Sequence, residues 1–184
     1  MFNKVQKNAV AVIALVGSLI GSPLLAAVEP MQGSLVPATP YDGHMAQAGI
    51  FFLPSIASGT ESAESLFAKA RTFRYQQDTR GEDYWQTPEE TEAHWSGDCE
   101  DKAIWLFAQL KKNGFHDARL VIGRLNPSSR GFHVWVALMD KSGGSFYVLD
   151  PTAQKRIWRS TDFSDGSYRP LYSFDGSNRY RHDA

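Results

Sequence analysis

The chain has 184 residues, 42% of them hydrophobic, and a formal net charge of −1. That length supports one ordinary globular domain with its own core. The near balance of charge leaves no basic footprint, so nucleic acid is excluded as the expected partner, and a single cysteine, Cys99, excludes an internal disulfide framework.

At the N-terminus Lys4 and Lys7 precede an apolar run from Ala9 to Ile20 interrupted by Gly17 and Ser18, followed by Pro23 and the small pair Ala26-Ala27. This reads as a signal peptide over residues 1–27, cleaved near Ala26-Ala27, with a periplasmic or secreted product. Leu24 or Leu25 occupies a place where a small residue is preferred, so an uncleaved anchor is the structural alternative. The run falls short of the ~20 apolar residues that span a bilayer comfortably. Export also sharpens the reading of Cys99: a lone cysteine in an exported protein is either an intermolecular bridge or a free reactive thiol. A small buried hydrophobe is the bland reading. The neighbours Asp98, Glu100 and Asp101 argue against an apolar pocket.

Residues 28–59 are rich in Pro, Gly, Ser and Ala without sustained periodicity. They read as an extended N-terminal arm, with Ile50-Phe51-Phe52-Leu53 docking on a domain spanning residues 60–184. Thr60 to Gln77 reads as a core-packing helix, with Thr60, Glu61 and Ser62 at its start and Leu66, Ala70 and Phe73 on one face. A polar turn from Asp78 to Tyr84 passes Gly81. Thr87-Pro88-Glu89-Glu90 then has the pattern of a capped helix start, with Thr87 as N-cap, Pro88 in the first turn and Glu90 closing a capping box. That helix ends near Trp95-Ser96-Gly97. Trp85 and Trp95 suit core or groove-wall positions, and Trp85 and Gln86 are candidates for substrate binding or for donation to an oxyanion.

Cys99 to Asn113 is the best helix in the chain. Ala103, Phe107 and Leu110 form an apolar stripe with Ile104 and Ala108 beside it, Lys111 and Lys112 suit the C-terminal end, and Asn113-Gly114 is a stop signal. Asp98 is a natural N-cap, which places Cys99 in the first turn. There unpaired N–H groups and the helix dipole favour a thiolate and can bind an oxyanion. The flanking acids oppose a thiolate unless they meet a cation, accept a hydrogen bond or point outward.

Ala118 to Leu125, Phe132 to Met139 and Gly144 to Asp150 read as three strands, separated by the loop Asn126 to Gly131 and the turn Asp140 to Gly143. If that turn occupies four residues, Met139 pairs with Gly144 and His133 lies directly opposite Asp150, with Cβ atoms ~5 Å apart. A carboxylate so placed holds an imidazole in one tautomer and stabilises its charged form. A slip of one residue would put the two on opposite faces, and a satisfied histidine on a sheet is the structural alternative. From Ala153 to Ala184 the chain mixes aromatics, arginines and turn residues. Trp158, Phe163, Tyr168, Tyr172 and Phe174 continue the sheet, wall a groove or pack the core.

The order Cys, His, Asp, with the cysteine at a helix start, resembles the papain-like and transglutaminase-like superfamily. The segments Asp83-Tyr84-Trp85-Gln86-Thr87-Pro88-Glu89-Glu90 and Gly97-Asp98-Cys99-Glu100-Asp101-Lys102-Ala103-Ile104 look more specifically like the bacterial transglutaminase-like cysteine proteinases, the family that contains a periplasmic protease clipping biofilm adhesins. The resemblance covers about Arg74 to Thr152. It implies an α+β, papain-like or transglutaminase-like fold with a catalytic helix packed on an antiparallel sheet. It also implies a Cys99 nucleophile, a His133 base and an Asp150 orienting group. By position in the family pattern it implies calcium at Asp98 and Glu100, with Asp101 as a further candidate; hard oxygen ligands suit that ion. The implied partners are a protein substrate, with a surface adhesin as the candidate, and an inner-membrane regulatory protein. Phe132-His133-Val134-Trp135-Val136 and Leu149-Asp150-Pro151-Thr152 depart from that family's H-x-V-L and L-D-N and look more like broader transglutaminase-like domains. The expected activity is therefore thiol-dependent peptide-bond cleavage, with amide transfer to an amine and a catalytically silent binding module as alternatives.

Overall fold

The computed structural model describes residues 31, 33–53, 59–79, 81–140, 145–163 and 166–183. The expected signal peptide over residues 1–27 and most of the turn expected at 140–143 lie outside them. Among the described residues no helix is long and apolar enough to cross a membrane.

The helix expected at Cys99 forms as α4, Cys99–Lys112, and everything else packs around it. Helix propensity contributes only tenths of a kcal/mol per residue. Burial of large apolar side chains contributes about 1.5–3 kcal/mol each, and Trp105, Leu106, Phe107 and Leu110 of α4 are almost fully buried. Packing therefore decides the helix. Burial extends all round it and takes in Asp101 and Lys102 as well; the Lys102 ammonium meets the demand for a partner by donating to the Phe73 carbonyl at 3.1 Å.

Two shorter helices flank α4. The first, α2 (Ala63–Thr72), starts with the Ser62 hydroxyl accepting from the Ser65 N–H at 3.2 Å, and buries Leu66, Phe67 and Ala70. It stops well before the expected Gln77. Phe73 turns into extended backbone and Arg74–Tyr75 (β2) pairs in parallel with Ser96–Gly97 (β3). The Arg74 and Gln76 N–H groups donate to Trp95 and Gly97 carbonyls at 3.0 and 3.1 Å, bonds that a continuing helix would forfeit. The second, α3 (Pro88–His94), has the expected capping box: Glu90 N–H to Thr87 Oγ1 at 3.2 Å and Thr87 N–H to Glu90 Oε2 at 2.8 Å.

The sheet has seven strands among the described residues: β1 (Ser34–Leu35), β4 (Ala118–Arg124), β5 (His133–Met139), β6 (Phe146–Leu149), β7 (Trp158–Arg159), β8 (Arg169–Phe174) and β9 (Arg179–Arg181). They run antiparallel in the order β1-β9-β8-β4-β5-β6-β7. One face carries Leu120, Ile122, Val134, Val136 and Leu149 into the core shared with α2 and α4. The other gathers Val121, Trp135, Ala137, Phe146 and Val148 beneath Met31, Phe163 and Tyr168. The α+β architecture, with a helix against an antiparallel sheet, is the one expected.

The region read as an extended arm holds more structure than its composition signals. It supplies β1, which pairs with β9, then helix α1 (Asp42–Gln47) and a 3-10 turn at Ile50–Phe52. Met45 and Ile50 are fully buried, whereas Phe52 stays 81% exposed. The tail continues the sheet as β7, β8 and β9.

The register of β5 against β6 corrects the expected one. Met139 lies opposite Phe146 and Val136 opposite Leu149, two residues away from the pairing that a four-residue turn would produce. An even shift preserves the face. Asp150, just past the end of the ladder, is thus a diagonal neighbour of His133 on the same face instead of its direct partner.

Gly123 pairs with His133 at a register irregularity between β4 and β8. A Cβ there would collide with the Arg169 carbonyl and the Trp135 ring. Gly123→Ala is expected to cost about 1–3 kcal/mol, read as a lowered denaturation midpoint at unchanged m-value.

Candidate active site

Cys99 owes its position to a chain of local choices. Trp95 closes α3 in the left-handed region at φ 52°, sending the chain into β3, and Asp98 in extended conformation begins α4. The Asp101 carboxylate then clamps this start. Its Oδ1 accepts from the Gln86 N–H at 2.8 Å, and its Oδ2 accepts from Gln86 Nε2 at 2.8 Å and from the Asp98 N–H at 3.1 Å. A Cβ at Gly97 would strike the Asp101 side chain, so this close approach requires glycine.

Opposite the helix start lies the first turn of β5. His133 Nε2 and Asp150 Oδ2 are 2.7 Å apart, with the carboxylate fully buried. Asp150 Oδ1 accepts from the Thr152 and Ala153 N–H groups, each at 2.9 Å, and Oδ2 also accepts from the Tyr168 hydroxyl at 2.9 Å. Burial pushes this carboxyl up, but the hydrogen bond and charge of His133, with those two N–H groups, outweigh it and hold it below the ordinary value. The ladder between β5 and β6 ends at Val136 and Leu149, which leaves the start of β5 without a β6 partner. The Val134 N–H there donates to the Cys99 sulfur. The neighbouring residue of the same strand is His133.

The acids around Cys99 do not point away. Its thiol donates to Glu100 Oε2 at 2.9 Å. Burial, then the charge and hydrogen bond of Glu100, push the thiol pKa up, and the Val134 N–H opposes this only in part. Desolvation and the adjacent carboxyls thus oppose the thiolate that the helix N-terminus favours. Asp98 is pushed up to about 8 by burial and by its hydrogen bond with Glu100. The Asp98 carboxyl is thereby driven toward protonation beside Glu100. Asp101 is pushed up to about 6, by burial against the N–H donors of Gln86 and Asp98.

This crowding fits a hard cation. Asp78, Asp83 and Glu100 each offer an oxygen, all within 4.8 Å of one another, and Asp98 Oδ1 is buried without a hydrogen-bond partner. Oxygen donors of this kind suit calcium, and a divalent ion would offset the crowded negative charge. Of the three residues expected to bind it, Glu100 belongs to this set and Asp98 adjoins it. Asp101 is not among the grouped donors; its carboxylate is engaged by Gln86 and the Asp98 N–H.

The family model for the transglutaminase-like superfamily matches residues 54–151, more than half of the chain. The chain belongs to the transglutaminase-like superfamily. No curated protein sequence matches significantly. Among solved structures, LapG of Legionella pneumophila in calcium-bound form aligns with TM-score 0.56 and 22% identity, covering 65% of this chain and 66% of that one. The EGTA-treated form of the same protein aligns with TM-score 0.57 and 22% identity, covering 66% of each chain. The chain thus spans just under two thirds of the LapG chains, and the likeness is one of fold.

Within that fold the structure gathers Cys99, His133 and Asp150 at one end of β5. It does not free Gln86 or Trp85 for a ligand. The Gln86 amide donates to Asp101, with the Ser96 carbonyl at 3.5 Å, and Trp85 is buried with its Nε1 donating to Asp83 at 2.9 Å. Asp78, Asp83 and Tyr168 were not legible as site residues. Asp78 and Asp83 flank Gly81, and three acids in that short turn were the available signal.

The raised carboxyls make stability depend on pH. The native state keeps protons that the unfolded chain releases near its ordinary carboxylate range of about 4. Without calcium, stability should fall as pH rises from there through about 6 and about 8, the raised values of Asp101 and Asp98. Melting temperature measured across this range in chelator should decline, and saturating calcium should flatten the decline.

Proposed function

We propose that this protein is an exported cysteine peptidase that hydrolyses peptide bonds of a protein substrate, a cell-surface adhesin being the candidate. The observation that carries the reading is the 2.7 Å contact between His133 Nε2 and Asp150 Oδ2, on the strand whose next residue, Val134, donates its N–H to the Cys99 sulfur. Membership of the transglutaminase-like superfamily supports it. The signal peptide over residues 1–27 belongs to the proposal, with a periplasmic location, as does an inner-membrane regulatory partner.

In this reading Asp150 holds Nε2 of His133, so Nδ1 is the ring nitrogen that takes the proton from Cys99. The sulfur attacks the scissile carbonyl carbon, and first-turn N–H groups of α4 stabilise the oxyanion. The C–N bond breaks as His133 returns the proton to the leaving amine. Water, activated by the same imidazole, then attacks the thioester and frees the acid and the thiol. Asp78, Asp83 and Glu100 would hold calcium, which supplies positive charge against the acids beside the thiol.

Cys99→Ala should abolish release of adhesin fragments into the medium of expressing cells. His133→Ala should lower labelling by an alkyne-tagged iodoacetamide by roughly 10²–10⁴-fold, the range of general-base contributions. Equal labelling of the two proteins would sink the activated-thiol reading. Acyl products that acquire an added lysine-like amine would favour amide transfer over hydrolysis.

Calcium should raise the melting temperature, with chelator reversing the rise. An Asp78→Asn, Asp83→Asn double variant should lose most of the increment, since binding stabilises only through the native state.

A further inference from the structure

We propose that Tyr168 is a positioning residue of the same site, acting through Asp150 to set how strongly His133 is held. The inference rests on the Cys99–His133–Asp150 reading above. Tyr168 lies beyond residues 54–151, the part of the chain that matches the superfamily. It is therefore the C-terminal segment that brings a further donor to the superfamily core.

The geometry is specific. The Tyr168 hydroxyl donates at 2.9 Å to Asp150 Oδ2, the same oxygen that His133 Nε2 approaches to 2.7 Å. Asp150 is fully buried, so no bulk water can stand in for the hydroxyl. The tyrosine ring is held edge-on to Trp135 at 5.2 Å and against Phe163 at 4.8 Å between centroids. Its backbone N–H donates to the Leu125 carbonyl at 3.0 Å, and the residue sits at φ 50°. Bulky side chains rarely adopt that conformation, and surrounding contacts must enforce it. The buried Gln154 carboxamide lies against the same hydroxyl at 2.9 Å. Burial and the charge of Asp150 raise the phenol pKa, so the hydroxyl remains a donor throughout the working range.

Two donors on one oxygen divide its capacity to stabilise positive charge. The titratable groups bearing on Asp150 are His133 from β5, Tyr168 from the segment before β8, and Lys102 from α4; Cys99 stands at the start of α4 near β5. With Tyr168 removed as donor, Oδ2 turns wholly to His133 and favours its protonated form. The imidazolium should then persist to higher pH.

The test is Tyr168→Phe in the calcium-loaded mature protein, which keeps the ring and removes only the hydroxyl. The imidazole ring protons of His133 are followed against pH by NMR, together with its Nε2 proton, in the wild-type and Asp150→Asn backgrounds. With Asp150 present, the imidazole titration should move up by about half a pH unit or more, and the Nε2 proton should be displaced. In Asp150→Asn the same substitution should move neither. A lowered melting temperature with both readouts unmoved would make Tyr168 a packing residue and overturn the proposal, as would an equal shift without Asp150. If wild-type alkylation is indifferent to His133, the catalytic reading fails instead. The NMR displacement still tests the contact between Tyr168 and Asp150.

Discussion

A carboxylate cut off from water needs its lone pairs answered by donors, and the fold around Asp150 is arranged to meet that demand. The chain leaves the β5–β6 ladder after Leu149 and turns at once, so that two of its own N–H groups reach Oδ1. The segment before β8 folds back beneath the sheet and delivers the Tyr168 hydroxyl. β5 begins at His133, which fills the remaining direction. Removing any one donor leaves a buried charge partly unanswered, at a cost of about 1–3 kcal/mol or more. The carboxylate is thus the point at which the central ladder and the C-terminal segment become interdependent.

A second buried acid performs the same service on the other side of the site. Asp101 ties the segment before α3 to the start of α4 through Gln86 and Asp98. The two carboxyls differ in electrostatic character. Asp150 faces an imidazole and stays ionised, whereas Asp101 and Asp98 crowd other acids and are driven toward protonation. On one side the cysteine adjoins the strand whose imidazole an anion holds, and on the other it meets acids whose charge a cation would answer.

Much of this was legible in local sequence. The Thr87 capping box, the Asp98 start of α4 and its stop at Asn113-Gly114 rest on contacts within a few residues, and the three central strands show in their local apolar runs and the turns between them. The pairing of His133 with Asp150 came through because strand geometry depends on parity: a register off by two changes the partner but keeps the face. What escaped were features made by distant contacts. Met45 and Ile50 sit in a Pro- and Gly-rich stretch whose burial depends on elements far along the chain. The end of α2 at Thr72 is imposed by pairing with Ser96–Gly97. Tyr168 reaches its acceptor only because β8 lies beside β4. The raised Asp98 carboxyl reflects burial and three-dimensional crowding by Glu100, which spacing alone does not report.

Cys99 stands on the helix, and His133 on the sheet against which that helix packs. Nothing covalent nearby sets their separation; the fit of Phe107, Leu110, Ile122 and Val136 across the layer does. The sulfur is in effect a strain gauge for the helix–sheet seam. A cavity cut far from the thiol, too small to unfold the domain, would shift α4 by a fraction of an ångström and register first as altered sulfur chemistry. Core residues with no polar atom to contribute thus help set where the sulfur stands.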